Sequence, residues 1–465
     1  MKIDLYHLYG PIHFSSFIHF YPIVLDVLKV WAESIGWQAR VSICKEALVD
    51  RSTDAAAVGI SVYTETAPAA YRVGAELRRR GKIVIFGGPH FRGPDTYHEA
   101  APFCDVIASS ICEDQWQTLL RDIADEKLRP HRPQPLYITD AAGDFRYPHN
   151  FYQSLASRRW YQIPTVPTSI GCPYFCTFCS AFMQGKYLLR DIETIYNEVA
   201  HAAPSLVILC DATFGLNKRF TVDLMHALAP LRKKIGLQIT LGRLRDREIL
   251  DALAIGGVKW LLVGIETLGW KLRKHGTVGL HDGLRRVIDD THDRGMMIQG
   301  NFICGLDTDG PESFEQIYRF YDASQLDAIM MAILTPYPNT ALYRQLQREG
   351  RIFDTNWEHY DCHHVVYRPQ RMTVDQLIDG YVALYQMVRR RNSIFREVVE
   401  GYRRHGVGTE SAVMIAQNLH QKFDAMKKER VLRANQREIA EGRLAEPAAG
   451  ADGADVPPLV AGAVT

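Results

Sequence analysis

Gly171-Cys172-Pro173-Tyr174-Phe175-Cys176-Thr177-Phe178-Cys179 sets three thiols at Cys-x3-Cys-x2-Cys spacing, directly after the apolar run Val166 to Ile170. Thiolates are soft ligands suited to iron–sulfur clusters and to zinc. A closed structural zinc site wants four ligands, and no fourth Cys or His stands at finger-like spacing around Cys179. One corner of the set is therefore open, which points to a substrate or cofactor bound at the metal. A reactive loop immediately after a strand is what a barrel of alternating strands and helices provides.

Downstream, the runs Leu206 to Cys210, Leu237 to Leu241, Trp260 to Ile265, Met297 to Ile303 and Ala328 to Leu334 are separated by helix-length segments. Largely apolar runs are what parallel strands buried on both faces require. With Val166 to Ile170, the weakest of the set, they predict a partial (β/α)6 barrel over residues 161–355, with its chemistry at the strands' C-terminal ends. Those ends carry Asp211, Glu266, Thr267, Asn301, Gly305 and Asp309.

Upstream, Ile3 to Tyr6, Ala39 to Ile43, Ala57 to Val62, Ile83 to Phe86 and Val106 to Ala108 alternate with longer helical patterns. The fold class is α/β: a doubly wound, Rossmann-like parallel sheet over 1–128, followed by the barrel. Ligands of such sheets lie outside the strands' carboxyl ends, here Ser61-Val62-Tyr63-Thr64 and Gly87-Gly88-Pro89-His90. Residues 129–160, rich in proline, read as a linker. Residues 356–430 read as a helical cap, notably Val374 to Val399, and 431–465 as a disordered tail.

The 465 residues hold 54 Lys plus Arg against 53 Asp plus Glu, so no global field favours nucleic acid. The start, Met1-Lys2-Ile3-Asp4-Leu5, has no signal-peptide pattern, and no apolar run is long enough to span a membrane. A cytoplasmic location is expected. The nine cysteines are scattered apart from the triad, which excludes a disulfide framework.

The triad, with aromatic Phe178 just before its last cysteine, resembles the cluster loop of the radical S-adenosylmethionine (SAM) superfamily. The resemblance implies a [4Fe-4S] cluster on Cys172, Cys176 and Cys179, with the unique iron chelated by SAM. An electron then cleaves SAM to a 5′-deoxyadenosyl radical that abstracts hydrogen from substrate. It also implies an electron donor such as flavodoxin or ferredoxin. It assigns SAM contacts to Phe178, to Asp211 in place of the usual Gly-Gly-Glu, to Glu266 and Thr267, and to Asn301 and Gly305. Asn301, Gly305 and Asp309 only approximate the fifth-strand motif, and a turn or rim-capping role is the alternative for each.

The open sheet ahead of the barrel, Gly59-Ile60-Ser61, Gly87-Gly88-Pro89-His90, Leu334-Thr335-Pro336-Tyr337-Pro338-Asn339-Thr340 and Trp357-Glu358-x-Tyr360 resemble the subfamily of B12-binding-domain radical SAM proteins. That resemblance implies cobalamin on Ser61, Tyr63, Thr64, Gly87, Gly88, Pro89 and Glu113, with the glycines admitting a flat corrin. Asp4-x2-His7-x2-Gly10 is one residue too long for the axial-histidine motif, so base-off binding is expected and His7 is read as structural. Ser110-Ile111-Cys112-Glu113 retains only the glutamate of the usual Gly-Glu-Gly-Glu.

Two activities follow. One is cobalamin-dependent C-methylation of a lipid, tetrapyrrole or natural-product precursor, with one SAM as methyl source and another as radical source. The alternative is radical cyclisation, coupling or oxidation, with the N-terminal sheet kept as a scaffold or lid. A non-enzymatic cobalamin or redox sensor is disfavoured by Glu266, and a methylthiotransferase by the lack of a second cysteine triad at Cys44, Cys104 and Cys112. Isolated Cys210 and Cys304 read as small hydrophobes. Asp361-Cys362-His363-His364 reads as a segment packing over the barrel mouth, because adjacent side chains diverge.

Overall fold

The computed structural model describes residues 1–9, 19–20, 23–138, 162–180, 186–203, 205–268, 280–391 and 429–441. Its first layer is a parallel sheet of β1 (Lys2–Leu8), β2 (Gln38–Cys44), β3 (Ala57–Ser61), β4 (Ile83–Gly87), β5 (Val106–Ala108) and β6 (Leu136–Ile138). The order is β2-β1-β3-β4-β5-β6. Helices α1 (Val24–Glu33), α2 (Ala67–Arg79) and α3 (Glu113–Ala124) connect them. Alternation along each strand sorts the core: Ile3 and Leu5 join Ile83, Ile85, Trp31 and Trp116 on one face. Tyr6 and Leu8 join Val58, Ile60, Val84 and Phe86 on the other. Fully burying each such aliphatic side chain contributes roughly 1.5–3 kcal/mol.

The sixth strand, β6, lies inside the stretch expected to be linker. It runs parallel to β5, with Val106 opposite Leu136. Residues 139–160 of that linker lie outside the described residues.

The second sheet contains β7 (Thr165–Val166), β10 (Leu206–Phe214), β11 (Lys234–Ile239), β12 (Val258–Glu266), β13 (Met297–Cys304) and β14 (Ala328–Ile333), all parallel and in sequential order. The first expected barrel strand is split: after β7 comes β8 (Ser169–Ile170), which pairs antiparallel with β9 (Leu188–Leu189). Helices α4 (Ile192–His201), α5 (Lys218–Leu228), α6 (Arg247–Ile255), α7 (Leu280–His292) and α8 (Ser313–Ser324) alternate with the strands. Asp191, Asn217 and Asp246 cap α4, α5 and α6 through side-chain acceptors, about 1 kcal/mol each. Ile208, Trp260 and Met297, with Ile163, make an apolar floor to the sheet's inner face. Val207, Leu209, Leu261, Val263 and Ile298 point the other way, into the main core.

Beyond the barrel, α9 (Ala341–Arg348) and α10 (Val374–Arg391) cover one side. Residues 429–440 are helical and run from the end of the expected cap into the stretch read as a tail. There Leu432 is buried, Asn435 accepts from Val365 N, and Gln436 donates to Asp375. The rest of the tail, 442–465, and residues 392–428 of the cap lie outside the described residues.

Candidate active site

The cysteine loop is braced from both sides before any ligand is considered. Upstream of it, Asp211 at the end of β10 accepts hydrogen bonds from Thr168 N (2.6 Å), Ser169 N (2.9 Å) and the Thr168 hydroxyl. Downstream of it, Arg190 N donates to Thr168 O (3.0 Å). The Arg190 guanidinium forms a two-pronged pair with Glu198 of α4 at 2.6 and 2.9 Å, both side chains being almost fully buried. The loop leaves this base through Gly171 at φ +85°, a left-handed conformation that glycine adopts without strain.

On the loop, Cys172 is buried and Cys176 and Cys179 are half-buried. Cys179 N donates to Cys176 O (3.1 Å), folding the last two cysteines into one turn. Among the described residues no three His, Cys, Asp or Glu side chains converge as on a single metal ion. Three thiols on one short loop are a donor set that an iron–sulfur cluster can take, each thiolate on a different iron. Half-buried Phe178 packs with Leu306, Leu334, Leu342, Tyr360 and Tyr367.

The residues expected at SAM divide into two groups. Glu266, at φ +67° on the end of β12, and Asn301 of β13 are half-buried; Asn301 pairs in register with Gly264 and Met330 and accepts from Gln299 Nε2 at 2.8 Å. Asp211, Thr267 and Gly305 take part in the scaffold. Asp211 is saturated by the hydrogen bonds above, and burial raises its pKa while those bonds work against the rise. Thr267 donates to Asp309, which also accepts from Gly305 N and Leu306 N at 3.0 Å. Gly305 has φ +95°, and an added Cβ would stand 2.5 Å from the Tyr367 hydroxyl. Asp309 thus ties the ends of β12 and β13 together, the rim-capping alternative.

The strand ends of the first sheet come against this rim. Tyr63 is 40% exposed, yet burial raises its pKa and both Arg92 and Cys210 lie within its electrostatic reach. Cys210 likewise presents surface while burial pushes its thiol up to about 12. Glu65, from the turn after β3, lies within electrostatic reach of Tyr337 and Cys362. Cys362 itself holds φ +65° and lies 3.1 Å from the Tyr337 hydroxyl, while Asp361 accepts from His363 N and His364 N.

The reason given above for Gly87 and Gly88 needs correction. A Cβ on Gly88, at φ +103°, would fall 2.7 Å from both Val62 N and Val62 O, and one on Gly87 would fall 3.1 Å from Ala108 O. The protein's own backbone thus crowds a side chain at both positions, whatever lies beyond them. Ser61 and Thr64 are buried, Glu113 accepts from Gln117 in the first turn of α3, and Cys112 caps that helix with Gln115. His7 packs edge-on against Tyr63 at 5.2 Å. Arg92 escaped the sequence reading altogether, since nothing local to Phe91-Arg92-Gly93 signals it.

Residues 166–321 match the radical SAM superfamily model. This stretch is a radical SAM domain. The family uses a [4Fe-4S] cluster and SAM. The chain is 25% identical over 356 residues to bacteriochlorophyllide d C-12(1)-methyltransferase of Chlorobaculum tepidum, covering 73% of this chain and 76% of the relative. It is 29% identical over 298 residues to hopanoid C-2 methylase of Rhodopseudomonas palustris, covering 59% and 54%. Its fold matches the cobalamin-dependent SAM radical enzyme OxsB, solved with aqua-cobalamin and SAM, at TM-score 0.62 and 11% identity over 94% of this chain and 75% of that one. Among the described residues, no helix is long and apolar enough to cross a membrane.

Proposed function

We propose that this radical SAM enzyme is a cobalamin-dependent C-methylase acting on a small molecule of the tetrapyrrole, lipid or natural-product precursor class. The observation that carries the reading is the meeting of the two strand-end edges. Tyr63, just after a strand end of the first sheet, is within electrostatic reach of Cys210 of the second, and Arg92 is within electrostatic reach of Cys179. A planar cofactor laid on the first edge would face the cysteine triad across one enclosed space. The methylases among the relatives support the same reading.

Cys172, Cys176 and Cys179 would hold the cluster, which supplies the electron for reductive SAM cleavage once a flavodoxin- or ferredoxin-like donor has charged it. Glu266 and Asn301 are the side chains suited to accept hydrogen bonds from SAM hydroxyls and its amino group. The Asp211 and Asp309 braces hold the loops on which those groups sit, so that they are ordered before ligands arrive. Tyr63, with the half-buried Ser109 and Ser110, would line the cobalamin edge, and cobalamin supplies a carrier for the methyl group.

The test is anaerobic reconstitution with iron and sulfide, with and without hydroxocobalamin, followed by assay of 5′-deoxyadenosine and S-adenosylhomocysteine. Both products, the second dependent on cobalamin, support methylation. Deoxyadenosine alone favours cyclisation, coupling or oxidation, a reading that the α3 start at Cys112, where the subfamily has glycine, also favours. A Cys176→Ala enzyme that keeps its full iron would contradict the cluster assignment.

A further inference from the structure

The N-terminal sheet grips the cysteine loop through a continuous set of hydrogen bonds. The turn after β4 carries His90, Arg92 and Asp95. Asp95 N donates to Asn339 Oδ1 (3.0 Å), Asn339 N donates back to Asp95 Oδ2 (2.9 Å), and Asn339 Nδ2 donates to His90 O (3.3 Å). Arg344 of α9 closes on the Asp95 carboxylate at 3.2 and 3.3 Å. Gly93 sits so close that an added Cβ would stand 2.6 Å from Asn339 Oδ1. One residue into α9, Leu342 N donates to Thr177 O (2.9 Å), between Cys176 and Cys179. The Arg92 turn and the cysteine loop are thus fixed to the same helix start.

Arg92 is half-buried in the turn that this clasp fixes to the same helix start as the cysteine loop, and Tyr63 and Cys179 lie within its electrostatic reach. We propose that Arg92, held by the Asp95–Asn339 clasp, is a positioning residue of the first domain whose fixed positive charge raises the reduction potential of the cluster at its Cys179 edge. A cation near the cluster stabilises the extra electron of the reduced state, and does so more strongly in an enclosed space than in water. Arginine suits the place because its guanidinium stays protonated and its planar fork fixes where the charge sits. The proposal rests on the cluster assignment made above.

The test is a redox titration of the reconstituted full chain, read by the electron paramagnetic resonance signal of the reduced cluster, without SAM or substrate. Arg92→Gln should shift the midpoint to more negative potential with iron content and melting temperature unchanged, and Arg92→Lys should recover at least half the shift. An unchanged midpoint in Arg92→Gln with full iron overturns the proposal, as does a fall in melting temperature with no shift. If Arg92→Gln does not fold, Asn339→Ala decides: a smaller shift in the same direction supports the proposal, and no shift overturns it. A wild-type chain that binds no cluster would instead sink the radical SAM reading, and this inference with it.

Discussion

The two sheets turn the same kind of edge towards one space, yet they use their polar groups differently. At the first edge the groups satisfy one another: Tyr63 N donates to the Thr66 hydroxyl, Thr96 donates to His90 O, and the buried His90 ring sits between Tyr71 (3.0 Å) and Thr64 (3.4 Å). At the second edge the carboxylates of Asp211 and Asp309 are turned back to hold loops, while Cys176, Cys179, Glu266 and Asn301 remain half-buried. The first edge is a finished platform, and the second is a braced loop awaiting ligands. Shape comes from one side and chemistry from the other.

The sharpest way to break this contrast is at the deepest brace. Glu198→Gln leaves the Arg190 guanidinium buried without its counter-charge and should cost about 3–5 kcal/mol, measured by denaturant unfolding, with loss of cluster iron. A cost below about 1 kcal/mol would mean that the pair does not hold the loop.

Asp211→Ala removes the acceptor of two backbone N–H groups and of the Thr168 hydroxyl. It should cost about 1–3 kcal/mol and lower the iron bound per chain. Were Asp211 a SAM ligand instead, stability and iron would stay at wild type while SAM affinity fell, so one titration separates brace from ligand.

The platform can be probed through pH. Burial depresses the His90 pKa from 6.5 to about 3, so the unfolded chain binds a proton that the folded chain refuses. The stability His90 contributes is complete above pH 6.5 and falls away towards pH 3, by about 1.4 kcal/mol per pH unit. His90→Gln should flatten that slope in unfolding experiments between pH 6.5 and 4.5; an unchanged slope would show that another group carries it. The smallest effect is expected at the exposed link between the domains, Arg72 to Glu46 and Glu358. Arg72→Ala should change stability by less than about 1 kcal/mol, and by less still in high salt.

Features that depend on neighbours in the chain were legible from the sequence. The triad's spacing fixes three thiols on one loop whatever the fold does around it. The apolar runs at β3, β4 and β10–β14 announce parallel strands because burial on both faces demands them. β6 was not legible: three residues behind Pro130, Pro133 and Pro135 carry no periodicity, and only pairing with β5 makes them a strand. Gly88 was legible as a necessary glycine, but the cause lies in the crowding of Val62.

The sequence by itself determined the order of the two sheets, the open-cornered cysteine loop and its place after a barrel strand, because strand period and ligand spacing are local quantities. Only the tertiary structure decided what Asp211, Asp95 and Arg92 do. Asp211 takes its donors from residues 42 and 43 positions away, and Asp95 meets Asn339 across 244. Hydrogen bonds and fields act through space, and over such separations only the folded chain sets the distance.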